Sequence, residues 1–214
     1  MTTVLLVRHG ESMANKNNQF AGSRSDVALQ PRGLSQAELT AQYIAENFKV
    51  DKVYTSNLQR AYITGKCVAD RFGLPVTVEP AFTEIDGGEW EGITFEEIPL
   101  QYPTEFHIWI HDYAHSVCPG GESVRQAGLR FSAAAAKAAE ENDGKTILIA
   151  THATPVRVMI GLAQTGSLDA ISSTPWPSNA SVTILEYQNG QWVCKAASLD
   201  DHLGELKTEL PKNI

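Results

Sequence analysis

The stretch Leu5-Leu6-Val7-Arg8-His9-Gly10-Glu11 is an apolar run that ends in an arginine and a histidine. Far downstream, Ile147-Leu148-Ile149-Ala150-Thr151-His152 is a second apolar run that ends in a histidine, and a helical pattern follows each of the two runs. In an open α/β sheet, ligands bind at the carboxyl ends of the strands. The sequence therefore predicts that two strands deliver His9 and His152, together with Arg8, to one edge of a sheet. Two imidazoles and a guanidinium without a metal-binding motif indicate chemistry on a phosphate.

Composition and charge narrow the possible classes of protein. The chain has 214 residues, of which 43% are hydrophobic and 20% are charged, so we expect one globular domain over residues 1–214. The formal net charge of −8 excludes the basic field that binds nucleic acid or an anionic membrane, so any anion has to be bound by a local cationic site. The expected partner is a small phosphorylated substrate, and the sequence is compatible with a monomer or a homodimer.

Cysteine usage and hydropathy indicate a cytoplasmic location. No apolar run reaches membrane-spanning length. The cysteines are few, widely spaced and without a CxxC pair, as is typical of a reduced intracellular protein: Cys67, Cys118 and Cys194.

Strands alternate with helices along the chain, which predicts an α/β fold with a largely parallel central sheet. The predicted strands cover residues 3–7, 51–55, 75–78 and 146–151. The predicted helices cover residues 34–48, 57–72, 122–142 and 155–163. A hairpin over residues 181–187 and 191–195, turned at Gln188-Asn189-Gly190, is expected to supply antiparallel strands at one edge.

Capping residues predict where three of these helices begin. Ser35 and Glu38 have the spacing of a capping box. Ser56 is the expected N-cap of the next helix, and Thr154 followed by Pro155 is a favourable pair for the N-cap and first helical position.

A second arginine and a helix terminus are expected beside the first two motifs. Arg60 lies one turn inside the helix after the second strand, and with Arg8 it can form forked hydrogen bonds to phosphate oxygens. His152 precedes a helix N-terminus, where free amides and the helix dipole attract anions. Gly10 is expected to let the backbone turn sharply and approach a ligand. These residues have to converge around a volume that fits one tetrahedral oxyanion. The imidazoles of His9 and His152 both have to be within reach of solvent.

One region differs in composition from the rest of the chain. Between Phe72 and Val124 there is no lysine or arginine, whereas ten residues are aspartate or glutamate and aromatic residues are frequent. We expect residues 86–121, approximately, to be an insertion that covers the active edge as a lid or pocket wall. The expected pocket and lid residues are Phe20, Trp90, Tyr102 and Trp109. The alternative is a solvated acidic excursion with a small core of its own.

Taken together, these motifs resemble those of the histidine phosphatase superfamily, and the resemblance covers nearly the whole chain. It rests on Arg8-His9-Gly10, Thr55-Ser56-x-Leu58-x-Arg60-Ala61, Phe82-Thr83-Glu84-Ile85, Pro119-Gly120-Gly121-Glu122-Ser123 and Thr151-His152. The resemblance implies a phosphoglycerate mutase-like three-layer sandwich, in which helices flank a mostly parallel sheet with an antiparallel edge. It also implies metal-independent hydrolysis of phosphomonoesters without a cofactor.

The resemblance further implies a role for each site residue. His9 is the nucleophile that forms a phosphohistidine, whereas Glu84 protonates the leaving oxygen and then deprotonates the attacking water. The phosphoryl oxygens are held by Arg8, Arg60, His152, the Asn15 side chain and the Ala153 amide. The sequence departs from the family at Ala153-Thr154, where many members have glycine-rich residues after the second histidine.

These roles require different protonation states. His9 has to be neutral at its attacking nitrogen, whereas His152 would stabilise a phosphate best as a cation. Glu84 has to be protonated when it acts as an acid, and we expect nearby carboxylates and aromatic rings to raise its pKa.

Three alternatives follow from the same residues. A phosphoglycerate mutase would fit the fold, although the resemblance implies basic residues in the insertion for that reaction. A catalytically silent module that binds a phosphorylated ligand would retain the fold without the chemistry. A metal site is conceivable because His107, His111 and His115 recur every four residues and would share one face of a continuous helix.

Overall fold

A six-stranded sheet forms the centre of the part of the chain that the computed structural model describes, residues 1–209. Its strands are β1 (Thr2–Arg8), β2 (Lys52–Thr55), β3 (Val76–Val78), β4 (Thr146–Thr151), β5 (Val182–Gln188) and β6 (Gln191–Leu199). They lie in the order β3-β2-β4-β1-β5-β6. Strands β1 to β4 are parallel, whereas β5 pairs antiparallel with β1, and β6 pairs antiparallel with β5. The predicted α/β fold with an antiparallel edge is therefore confirmed.

Helices cover both faces of the sheet. They are α1 (Met13–Lys16), α2 (Pro31–Asn47), α3 (Gln59–Phe72), α4 (Ile98–Gln101), α5 (Pro103–His111), α6 (Val124–Glu140) and α7 (Ala153–Thr165). Side chains alternate between the two faces of a strand, so Leu5 and Val7 of β1 pack in the cluster that contains residues of α2 and α3. Val4 and Leu6 pack in the opposite cluster with residues of α6 and α7. The result is the predicted three-layer sandwich.

The register of β1 and β4 sets the position of the two histidines. Arg8 is paired with Thr151 at the carboxyl ends of these neighbouring strands. The next residue in each chain segment is a histidine, and the His9 amide donates to the Thr151 carbonyl at 2.9 Å. His9 and His152 are therefore brought together by backbone pairing before any side-chain contact is considered.

The three predicted helix starts are wrong by two or three residues. Helix α2 begins at Pro31 with Gln30 at the N-cap, because proline is favoured at the first helical position, so Ser35 lies within the helix and forms no capping box. Helix α3 begins at Gln59 after Leu58. Helix α7 begins at Ala153 and His152 is its N-cap residue.

The acidic region between β3 and α6 has an apolar cluster of its own. Trp90, Phe106, Trp109 and Tyr113 are buried there and pack with Phe20 from the segment after α1. The cluster also contains residues of α6 and α7, so it is continuous with the elements beside the active edge. The expectation that residues 86–121 act as a lid stays a prediction.

Within residues 1–209, every helix is too short or too polar to cross a bilayer.

Candidate active site

A cavity at the carboxyl ends of β1 and β4 collects most of the predicted site residues. Arg8, His9 and Arg60 line it together with Glu84 and Asn15. All except Asn15 are buried, and Arg60 is only 1% exposed. The cavity is thus a polar, cationic pocket at the edge of the sheet that the sequence predicted.

His9 is held with one ring nitrogen free. Its Nδ1 lies 2.7 Å from the Gly10 carbonyl oxygen. Because a carbonyl can only accept, Nδ1 carries the proton and Nε2 retains its lone pair. The Asn179 side chain donates to the His9 carbonyl at 3.1 Å and to Asn15 Oδ1 at 3.2 Å. Burial, and next the charges of Arg60 and Arg8, hold the pKa of His9 well below its usual range. The imidazole is therefore neutral at neutral pH, as a nucleophile requires.

The two arginines keep donors that the protein does not use. Arg8 donates through Nη1 to the Pro177 carbonyl at 2.6 Å, and Arg60 donates through Nη1 to the Ser25 carbonyl at 2.6 Å. The buried Nε atoms of both have no hydrogen-bond partner among residues 1–209. Burial lowers the pKa of Arg8 to about 10 and also lowers that of Arg60, so both remain cationic at neutral pH. Fixed cations with spare donors form a suitable site for a phosphoryl group.

His152 departs from two expectations. Its ring lies against that of His9, with 5.2 Å between the centroids, yet it has no exposed surface, and Ala153 and Thr154 line the cavity in its place. Burial, followed by the charge of Arg60, holds its pKa well below the usual range, so it is neutral rather than cationic. Its Nε2 bonds to a neighbouring hydroxyl, and its Nδ1 has no partner in the described part of the chain. Direct contact of His152 with a phosphate stays a prediction.

Ser56 explains how His152 is oriented. Its hydroxyl lies 2.8 Å from His152 Nε2 and accepts the Leu58 amide at 3.2 Å. Ser56 therefore serves the second histidine instead of capping α3. The sequence contains both residues in its motifs, but a separation of 96 positions hides the contact.

Glu84 has the properties of a general acid. Its carboxyl accepts the amide of Ile85 at 2.8 Å and the amide of Thr154 at 3.3 Å. Burial raises its pKa despite these bonds and the charge of Arg60. The pKa of Glu84 is therefore raised as expected, and the main cause is desolvation rather than repulsion from the acidic insertion. A carboxyl that keeps its proton above the usual range can donate it to a leaving group.

Arg130 of α6 fixes the loop that carries Glu84. Its guanidinium donates to the carbonyls of Ala81, Thr83 and Glu84 and forms an ion pair with Glu122 at 2.9 Å. Sequence reasoning missed this residue, because an arginine on a helix is ordinarily exposed and only the fold brings it to this loop.

Gly10 is required by packing rather than by a sharp turn toward a ligand. Its φ angle is not in the left-handed region. A Cβ atom there would lie 2.3 Å from the carbonyl oxygen of Gly33 in the first turn of α2. The glycine therefore allows the loop that carries His9 to contact helix α2, and this packing role differs from the one predicted from sequence.

The outer part of the cavity is aromatic, and two of the four predicted pocket residues line it. Phe20 and Trp109 form its wall with Phe95 and Trp176, which the sequence reasoning missed. Trp90 is fully buried and packs against Phe20, with 5.5 Å between the ring centroids.

Tyr102 is also not part of this wall. It does not line the cavity, and its hydroxyl donates to Glu89 at 3.0 Å. Trp90 and Tyr102 therefore do not line the cavity as predicted, because Trp90 is fully buried and the Tyr102 hydroxyl bonds to Glu89. Their place in the expected lid stays a prediction.

The histidines considered for a metal site do not share one helix. Helix α5 ends at His111, and His115 lies in a separate turn, where its Nδ1 is 2.8 Å from Asp112. Within residues 1–209, no group of three or more potential ligand residues is arranged to hold a metal ion.

Comparisons with known proteins identify the family and agree with the fold. The family model described as "Histidine phosphatase superfamily (branch 1)" matches residues 4–200. The chain is 30% identical over 217 residues to phosphoserine phosphatase 1 of Hydrogenobacter thermophilus, with all of both chains covered. It is 33% identical over 165 residues to a 2,3-bisphosphoglycerate-dependent phosphoglycerate mutase of Brucella anthropi, covering 74% of this chain and 79% of the mutase.

A solved structure extends the agreement to three dimensions. Bacillus stearothermophilus YhfR has a TM-score of 0.87 and 27% identity, over 95% of this chain and all of that one. Sequence, fold and the arrangement of His9, Arg8, Arg60 and Glu84 lead to the same conclusion: the chain belongs to the histidine phosphatase superfamily, branch 1.

Proposed function

We propose that this chain hydrolyses phosphomonoesters of small metabolites through a phosphohistidine on His9. The observation that carries the proposal is one cavity in which a neutral imidazole with a free Nε2, two buried guanidinium groups and a carboxyl of raised pKa lie together. The imidazole attacks phosphorus, and Glu84 gives its proton to the leaving oxygen. Glu84 then removes a proton from the water that hydrolyses the phosphohistidine, which restores the free enzyme.

The energetics show why each group is needed. Uncatalysed phosphate monoester hydrolysis is so slow that enzymes accelerate it by up to about 10²¹-fold, or about 28 kcal/mol. A positioned general acid contributes roughly 3–5 kcal/mol, and orientation about 7–11 kcal/mol. The remainder has to come from stabilisation of the equatorial oxygens and from dividing the reaction into two steps. Arg8 and Arg60 supply that stabilisation in this site.

The outer cavity supports a leaving group that is neutral, aromatic or cationic. The wall is formed by Phe20, Phe95, Trp109 and Trp176, and among the described lining residues Arg8 and Arg60 are the cations. The carboxylates of Glu11 and Glu209 also border the cavity. A second anionic group on the substrate would meet carboxylates and rings without a cation to bind it.

The mutase relative makes phosphoglycerate mutase the second candidate. A mutase has to hold a substrate with a carboxylate and a phosphate while it turns in the site. The region between Phe72 and Val124, which contains the insertion, has no lysine or arginine for that purpose. A silent binding module is disfavoured because each residue of the proposed reaction is present.

A substrate panel with wild type and His9→Ala tests the proposal. The panel contains an aryl phosphate, phosphoserine and 3-phosphoglycerate, and we expect the aryl phosphate to be hydrolysed best. His9→Ala should lose activity, and acid-labile phosphate should be trapped on wild type alone. Strong preference for 3-phosphoglycerate with isomerised product would favour the mutase. Binding of phosphate esters without turnover or a phosphoenzyme would favour the silent module.

The proposal includes a covering role for residues 86–121 within a single domain, supported by the position of Trp109 on the cavity wall. We further propose a reducing compartment such as the cytoplasm, which the three free cysteines support.

A further inference from the structure

We infer that Thr154 is a positioning residue for the proposed general acid: it holds the Glu84 carboxyl, and Tyr113 holds Thr154 in turn. The inference rests on the proposed phosphatase function. It concerns the second residue of helix α7, two positions after His152.

Two hydrogen bonds join the three residues in series. The Tyr113 hydroxyl donates to Thr154 Oγ1 at 3.1 Å. The Thr154 backbone amide donates to Glu84 Oε2 at 3.3 Å. All three residues are buried. A donor series in such surroundings fixes the direction in which the carboxyl points.

The backbone of helix α7 contributes to the same contact. Thr154 is the second residue of this 13-residue helix, where amides have no partner within the helix. Its amide therefore donates to Glu84 at the positive end of the helix dipole. The Tyr113 bond anchors the side chain of the residue that carries this amide, so loss of the Thr154 hydroxyl should let the amide move away from the carboxyl.

Tyr113 is itself held rigidly and keeps its proton. The Arg157 guanidinium carbon lies 4.0 Å from the centroid of the Tyr113 ring. The Trp109 ring packs edge-on against the Tyr113 ring, with 4.8 Å between the centroids. Arg157 is fixed by a bond from Nε to the Thr174 carbonyl at 2.7 Å. Burial raises the pKa of Tyr113 far above its usual range, so its hydroxyl acts as a donor throughout the working pH. The series thus begins at a fixed donor.

Other charged and titratable groups also act on Glu84. Those that stay constant in the test are Arg8 and Arg60 in the cavity, Cys118 in the insertion cluster, and Arg130 on the Glu84 carbonyl. Tyr113 also faces Glu84, and it is varied separately. Loss of the Thr154 hydroxyl removes the anchor of the amide that favours the carboxylate. The pKa of Glu84 should therefore rise further, and the acid should remain protonated to a higher pH.

The test compares the pH dependence of kcat/KM in four variants, with alkyl and aryl phosphates as substrates. In Thr154→Val the alkaline limb should move to higher pH, and kcat/KM should fall about tenfold for alkyl but much less for aryl phosphates, since only poor leaving groups need the proton. Thr154→Ser keeps the hydroxyl and should keep the wild-type limb. Tyr113→Phe should move the limb in the same direction by less. Thr165→Val, at the exposed end of the same helix, is the matched control.

The possible results separate the inference from the function on which it rests. If wild type hydrolyses phosphate esters but Thr154→Val and Tyr113→Phe both keep its alkaline limb, the inference is wrong and the phosphatase stands. If wild type has no phosphatase activity, the proposed function fails first. Should Thr154→Val not fold, an unmoved limb in Tyr113→Phe is sufficient to overturn the inference.

Discussion

At the scale of single residues, burial moves two pKa values in the directions that the reaction needs. It lowers the pKa of His9, which favours the neutral imidazole that the proposed nucleophile needs, and it raises the pKa of Glu84, which favours the protonated carboxyl that the proposed acid needs. Desolvation disfavours the charged form of either group. Burial in the same pocket therefore favours a neutral His9 and a protonated Glu84. The pH range in which both forms exist together widens, because the pKa of His9 falls and that of Glu84 rises.

Glu84→Gln should have an effect that depends on the leaving group. We expect kcat/KM to fall about 10²- to 10⁴-fold for alkyl phosphates and far less for aryl phosphates, because an aryl oxide leaves without a proton. The alkaline limb of the wild-type pH profile should disappear, since the raised pKa of Glu84 sets the pH at which the proton is lost. Both substrates are measured over the same pH range in both proteins. Equal slowing of the two substrates would count against the acid role.

The sequence predicted the residues that line the cavity better than those that hold them in place. His9, Arg8, Arg60 and Glu84 belong to local motifs, and all four line one cavity at the carboxyl edge of the sheet. The supporting contacts join residues far apart in the chain. Arg130 reaches the Glu84 loop across 46 positions, so no local pattern could indicate its role.

At the scale of secondary-structure elements, the predicted sheet was accurate and the helix starts were not. Apolar runs define β1 and β4, which agree with the predicted ranges to within one residue. A serine or threonine caps a helix only where its backbone is extended, and tertiary contacts determine where that is. The Ser56 hydroxyl bonds to His152 instead of capping a helix. Ser123, which was not predicted as a cap, is the N-cap of α6.

A pair of serine substitutions tests this assignment of caps. Ser123 forms a capping box with Gln126, so Ser123→Ala should lower the free energy of unfolding by about 1 kcal/mol. Ser35 is exposed inside α2, and Ser35→Ala should change it by less than about 0.5 kcal/mol. Urea unfolding of both variants gives the comparison. A larger loss in Ser35→Ala would restore the capping box predicted from sequence.

At the scale of the whole molecule, we expect the site to lower the stability of the free protein. Burial lowers the pKa of both Arg8 and Arg60, which reflects the cost of removing a cation from water. Their Nε donors have no partner within residues 1–209. A bound phosphate would satisfy donors and compensate charge that the folded chain leaves unmatched.

Inorganic phosphate should therefore stabilise the folded protein measurably. A ligand at 100 times its Kd adds about 2.7 kcal/mol, which for a domain of this size corresponds to a rise in Tm of about 5–10 °C. Sodium chloride of equal ionic strength is the control for screening, and calorimetry with increasing phosphate gives the shift. Arg60→Gln should abolish most of the shift. Arg71→Gln is matched to it, because Arg71 lies exposed on the same helix and pairs with Glu38 at 3.3 Å, and it should keep the full shift. An equal shift in Arg60→Gln and wild type would mean that phosphate binds elsewhere, and the buried arginines would then need another explanation.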